Sequence, residues 1–159
     1  MYNIAWRILR DQLQAEDVVQ ESFIEVFTGM HRFREDSSFG YWLKQIVINR
    51  SISALRKTKA DPLKMTEDIT DELSDQLSFT NRLNHEAGAP DDQQIALEVA
   101  RIKAAIDRLP DGYRMVIILY LIEGYDHEEI SEILAISAAT SRSQYLRGKR
   151  KLLELLMAG

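Results

Sequence analysis

Between Ser37 and Lys57 the chain reads SSFGYWLKQIVINRSISALRK, and two kinds of side chain stand there in an order suited to handling nucleic acid. Phe39, Tyr41 and Trp42 place three aromatics within four residues, beside the turn-formers Ser37, Ser38 and Gly40. Behind them, helical spacing sets Gln45, Asn49, Ser53 and Arg56 on one polar side, with apolar residues opposite. Aromatic faces stack on unpaired bases, while amide and guanidinium groups hold base edges and phosphates alongside. The pattern predicts an aromatic loop leading into a helix over 42–57, with Ser37 or Ser38 as its cap. Phe39 and Tyr41 are expected to be exposed; for Trp42 core burial and base contact are equally open.

A second element lies far down the chain. Asp126 can cap a short helix whose Ile130, Ile133 and Leu134 are spaced for one buried face, and Ala135, Ile136 and Ser137 suit a tight turn. Ser137 can cap a longer helix with Ser141, Tyr145, Gly148 and Leu152 turned inward. Thr140, Ser143, Gln144, Arg147 and Lys151 are then expected on its outer side. From Ser137 to Lys151 the chain carries Arg142, Arg147, Lys149, Arg150 and Lys151 and no acidic residue. This is a helix-turn-helix pattern, whose second helix would enter the major groove of duplex DNA. A helical hairpin with a solvated basic face is the plainer alternative.

The elements that must position these residues read as all-α. In residues 1–57, Ile4, Ile8, Leu9 and Leu13 suit one helical face, and Val18, Val19, Phe23, Val26 and Phe27 continue the period. Gly29 fits a stop, and 30–38 a connector. Residues 58–92 hold nine acidic and three basic side chains, few aliphatics, and Pro62, Gly88 and Pro90. They read as an acidic linker, with a short helix near 68–77. In residues 93–159, Ile95, Val99, Ile102 and Ile106 form a stripe, and 115–122 is apolar nearly all round, as in a buried helix. The net charge of −5 therefore comes from the middle of the chain, and local basic patches decide phosphate binding.

Composition narrows the function. With no cysteine among 159 residues, disulfides, thiolate metal sites and cysteine nucleophiles are excluded. His31, His85 and His127 have no metal-ligand spacing, and no phosphate-cradling glycine loop or serine-nucleophile motif is present. Neither an enzyme nor a cofactor is expected. The longest apolar run is too short to span a bilayer, so no membrane insertion is expected and a cytoplasmic place is.

Together these segments resemble the extracytoplasmic-function (ECF) group of bacterial RNA polymerase sigma factors, along nearly the whole chain. Ala15-Glu16-Asp17-Val18-Val19-Gln20-Glu21-Ser22-Phe23 is similar to that family's AED-x-x-Q-E-x-F signature. Phe33-Arg34, Ser37-Ser38-Phe39 and Tyr41-Trp42-Leu43 resemble its F-R-x-x-S-S-F-x-x-W-L segment, and Tyr125 to Leu134 its Y-x-E-I-A-E-I-L helix. The resemblance implies a factor that binds core RNA polymerase, directs it to promoter DNA and helps melt it, with an anti-sigma factor as a further partner. Glu16, Asp17, Gln20 and Glu21 would meet the polymerase. Phe33, Phe39, Tyr41 and Trp42 would capture a flipped minus-ten base, with Lys44, Gln45, Asn49, Arg50 and Arg56 near that element. Thr140, Arg142, Ser143, Gln144, Arg147, Lys149 and Lys151 would face the minus-thirty-five duplex, and the acidic linker would cross the polymerase near its active centre.

The chain departs from the family at two places. It starts inside the family's first helix, so the core of 1–57 is expected to be thin. In the groove helix the usual G-T-V-K-S-R stands as Ala139-Thr140-Ser141-Arg142-Ser143-Gln144: Ser141 takes the place of a buried valine, with looser packing expected, and Gln144 that of a basic contact. Two other readings remain: a stand-alone helix-turn-helix regulator, and a sigma mimic that occupies an anti-sigma factor.

Overall fold

The computed structural model describes residues 1–58 and 91–158, and these fall into two compact units. The described residues are helical, with no strand among them. The short helix expected near 68–77 lies outside the described residues.

The first unit packs three helices, α1 (Tyr2–Leu9), α2 (Gln12–Gly29) and α3 (Phe39–Thr58), against one another. Arg10 takes a left-handed conformation (φ 56°), which ends α1, and Asp11 caps α2 by accepting from the Gln14 amide at 2.9 Å. The break moves Leu13 off the face of Ile8 and leaves it 73% exposed, against expectation. On α2 the buried side is Ala15, Val18, Ser22, Val26 and Gly29, spaced by three and four residues. Phe23 and Phe27 fall outside that narrow face and are exposed. The core is completed by Ala5, Ile8, Leu43, Val47, Ile48, Ile52 and Leu55.

After α2 comes one 3-10 turn, Met30–Arg32. Helix α3 then starts three residues earlier than expected, so Phe39, Tyr41 and Trp42 occupy its first turn instead of a loop. Ser38 is its cap: its hydroxyl accepts from the Tyr41 amide and its carbonyl from the Trp42 amide, at 3.2 and 3.1 Å.

The second unit comprises α4 (Asp92–Asp107), α5 (Asp111–Ile117), α6 (His127–Leu134) and α7 (Ala138–Ala158). Of the stripe expected inside, only Ile106 is buried; Ile95, Val99 and Ile102 stand 45%, 42% and 39% exposed. Helix α5 runs on into a π-helical turn, Ile118–Ile122, and Met115 through Leu119 form the centre of this core as expected. Gly124, at φ 78°, releases the chain toward α6.

Helix α6 opens with a capping box in which Asp126 and Glu129 bond each other's amides at 2.8 and 2.9 Å, so Glu129 is not simply solvated. It closes at Ala135, a non-glycine residue in the left-handed region (φ 54°). Ser137 then caps α7 through the Thr140 amide, at 3.0 Å. Helix α7 lies so close to α5 that a Cβ at Gly148 would sit 3.1 Å from Tyr113 Cβ and 3.2 Å from Ile117 Cγ1. No described helix is long and apolar enough to cross a membrane.

Two stability predictions follow from these backbones. Gly148→Ala overpacks the α5–α7 contact at about 1–3 kcal/mol and regains about 1 kcal/mol of helix propensity. A net loss of up to about 2 kcal/mol is expected, read as reduced hydrogen-exchange protection in α5 and α7. Unchanged protection would show that α7 can shift. Ala135→Gly should relieve left-handed strain and raise α6 protection by up to about 1 kcal/mol, while a decrease would contradict the strain.

Candidate nucleic-acid interfaces

In the first unit, Phe33 from the connector and Phe39 and Trp42 from the first turn of α3 form a three-ring cluster. Phe33 meets Phe39 edge-on at 5.9 Å and Trp42 at 5.2 Å, and Phe39 lies 6.0 Å from Trp42. Phe33 and Trp42 are half-buried and Phe39 is 43% exposed, so Trp42 is both braced and partly open. Tyr41, in the same helical turn, is exposed. Along α3 from this cluster run half-buried Gln45 and exposed Asn49, Ser53 and Arg56, the polar strip expected from their spacing. Lys44 is half-buried beside it.

Arg50 is placed differently from expectation. Its guanidinium turns to α2, where Nη1 donates to Glu21 at 3.0 Å and Nε to Glu25. A fork held by two carboxylates is not offered to phosphate, and Glu21 is correspondingly engaged. Glu16, Asp17, Gln20 and Glu21 are nevertheless all exposed on one side of α2. The signal for the Arg50 pairing was not local: its partners lie 25 and 29 residues away.

In the second unit the expected groove face needs turning. Ser141, Gln144, Gly148 and Leu152 are the buried residues of α7. Gln144 is only 5% exposed and so cannot reach a base edge, because it stands three residues after Ser141 and four before Gly148, on the inner side. Tyr145, expected inside, is half-buried. The most exposed line instead runs through Ala139, Arg142, Leu146 and Arg150, again at spacings of three and four. Arg150, left out of the expected groove set, therefore belongs to the outer face; the phase of the buried residues is the signal that finds it. Thr140 and Ser143 flank the line, half-buried, and the Thr140 hydroxyl is engaged with Ser137 at 2.8 Å. Arg147 and Lys149 are half-buried, and Lys151 pairs with Glu154 at 3.1 Å.

Behind this face sits a cluster that the spacing did not foretell. The His127 ring stacks on Tyr120 at 4.7 Å and meets Tyr145 at 5.7 Å, and Tyr120 lies 4.5 Å from Tyr145. His127 Nδ1 stands 2.8 Å from the hydroxyl of Ser141, which is fully buried. Ser141 is thus a satisfied polar residue, not a loosened apolar one. Burial, and after it the Arg142 guanidinium, hold the imidazole below its usual pKa, against the pull of Asp126 and Glu128. Burial, then Tyr120, pushes the Tyr145 phenol up.

These surfaces coincide with two known sequence families: residues 1–60 match the model for Sigma-70 region 2, and residues 100–152 that for Sigma-70, region 4. The chain is 32% identical over 153 residues to the ECF RNA polymerase sigma factor SigW of Bacillus subtilis, covering 96% of this chain and 80% of that protein. To the ECF RNA polymerase sigma factor SigE of Mycolicibacterium smegmatis it is 28% identical over 156 residues, covering 98% of this chain and 57% of that one. Its fold is similar to that of the sigma factor RpoE of Bartonella quintana, crystallised with the anti-sigma factor NepR, at a TM-score of 0.62 and 23% identity over 98% of this chain and 89% of the other. With both regions present in order and a relative this similar along nearly the whole of this chain, the protein belongs to the ECF RNA polymerase sigma factors, non-enzymatic initiation factors that direct RNA polymerase to promoters.

Proposed function

We propose that the two units divide the work of this sigma factor, residues 1–57 melting the minus-ten element and binding polymerase, and residues 93–159 reading the minus-thirty-five element as duplex. The observation that carries this reading is the pairing of a half-exposed aromatic cluster with a polar strip in one unit and a doubly capped helix-turn-helix in the other. A melting surface needs aromatic faces, since unstacking costs a few kcal/mol and stacking returns about 1–3 kcal/mol per base. A duplex reader needs a groove helix with outward base-reading and phosphate-binding side chains.

In this assignment Phe33, Phe39 and Trp42 hold the captured base, with Tyr41 beside them. Gln45, Asn49 and Arg56 follow the minus-ten strand, with Lys44 at their edge. Glu16, Asp17, Gln20 and Glu21 meet core polymerase. On α7, Thr140, Arg142 and Ser143 stand toward base edges, and Arg150, with Arg147, Lys149 and Lys151, toward phosphates. The acidic residues 58–92 link the units along the path of nucleic acid through the polymerase, and the factor acts in the cytoplasm, where polymerase and promoter meet. An anti-sigma partner is supported by the fold's likeness to a sigma factor bound to NepR.

Reconstituted holoenzyme tests the first unit. Phe39→Ala or Trp42→Ala should lower open-complex yield, read by permanganate reactivity, by about 5- to 150-fold, matching 1–3 kcal/mol of lost stacking. Closed-complex affinity should stay within about twofold. Equal loss of both steps in a folded variant would remove the melting role. For the second unit, Arg142→Ala and Arg150→Ala should each weaken duplex binding, with a phosphate contact lowering the salt slope by about 1. Should neither the affinity nor the slope change in either variant, α7 would not be the groove helix.

A further inference from the structure

We infer that His127 is a positioning residue for promoter reading: through its hydrogen bond to Ser141 it sets the roll of α7, and with it the place of Arg142 in the groove. The inference rests on the proposed reading of α7 as the groove helix.

His127 is the first residue of α6, and Ser141 lies in the first turns of α7, on the side facing the protein. One short bond therefore ties the starts of the two helices across the turn. Both partners are fixed. The imidazole is stacked on Tyr120, which comes from the π-helical turn, with rings 15° from parallel, and Tyr145 of α7 meets both rings, His127 at 5.7 Å and Tyr120 at 4.5 Å. Ser141 is wholly buried, so its hydroxyl has no water to turn to. The imidazole, held below its usual pKa, is neutral near pH 7, and either tautomer completes the bond, Nδ1 accepting from the hydroxyl or donating to it.

The next residue, Arg142, points outward. Side chains leave a helix at a radius of about 5 Å, so a roll of about 20° displaces them by about 2 Å. That exceeds what a hydrogen bond to a base edge tolerates. A directional bond at Ser141 controls this roll, which an apolar pair of the same size would leave less defined.

The test uses the full chain in holoenzyme at one fixed salt concentration. The probes are a duplex that the wild-type holoenzyme selects from a random-sequence promoter pool and a scrambled duplex of equal length. The readout is the ratio of the two affinities. His127→Phe keeps the stacked ring but removes the bond between the helices at Ser141, and should lower the ratio about fivefold, the worth of one hydrogen bond. Ser141→Ala should do the same, and the double variant should lose no more than either single one. His127→Asn, which can place an amide atom where Nδ1 stands, should stay within about twofold of wild type. Additive losses, an unchanged ratio in His127→Phe, or losses that simply track hydrogen-exchange protection of α6 and α7 without rescue by Asn would overturn the inference. Arg142→Ala separates the two possible failures. If it lowers the ratio while His127→Phe does not, only this inference falls; if neither does, the groove-helix reading falls and takes the inference with it.

Discussion

Close helix packing through small side chains is the constraint on which both units depend. In the first, Ser22 and Ser51 are fully buried, and each hydroxyl bonds a carbonyl of its own helix, Val18 at 2.6 Å and Val47 at 2.7 Å. A serine that back-bonds in this way meets neighbouring helices with little bulk and leaves no polar group stranded. In the second, Gly148 and Ser141 give α7 a small inner face, the Ser141 hydroxyl bonding His127 of α6. Because the inner faces are narrow and small, larger side chains are displaced toward the surface. On α7 this economy of inner face leaves an outer line ending in Arg150.

The Arg50 fork shows how electrostatics orients helices without holding the fold together. It spans Glu21 and Glu25, and all three side chains are more than a third exposed. Partly exposed pairs of this kind contribute at most about 1 kcal/mol, and salt screens them. Their effect is on geometry: the fork joins the acidic side of α2 to the flank of α3, so the two proposed surfaces of this unit keep a fixed relation. Gln45, Asn49 and Arg56 remain as the polar strip of α3.

Local features were legible in the sequence, and features that need a partner helix were not. The caps at Asp126, Ser137 and Ser38 were readable because capping is decided within three or four residues. The all-α class and the helix-turn-helix were readable for the same reason, from caps and apolar spacing. The phase of each buried face was not. Leu13 depended on a left-handed Arg10, and Phe23, Phe27, Ile95 and Gln144 depended on where neighbours lie. In α7 a heptad-like choice put Tyr145 inside and Gln144 outside, an error of one residue, or about 100° of rotation. The start of α3 was missed because Ser37, Ser38 and Gly40 carry turn character, whereas Ser38 acts as a helix cap and Gly40 lies within the helix. The His127–Ser141 bond joins residues fourteen apart and had no sequence signature at all.

The half-buried state of Trp42 answers a question that composition alone left open. A base stacked on a freely rotating aromatic loses part of the gained energy to ordering that ring. Here Trp42 is held by Phe33 and Phe39, which also touch each other, all three rings within 6.0 Å, while Ser38 fixes the helix turn that carries two of them. The ordering cost is thus met during folding, and a half-exposed edge remains for a ligand. Core packing and base contact are then not competing explanations for this residue: the packing is what would make the contact strong enough to offset unstacking.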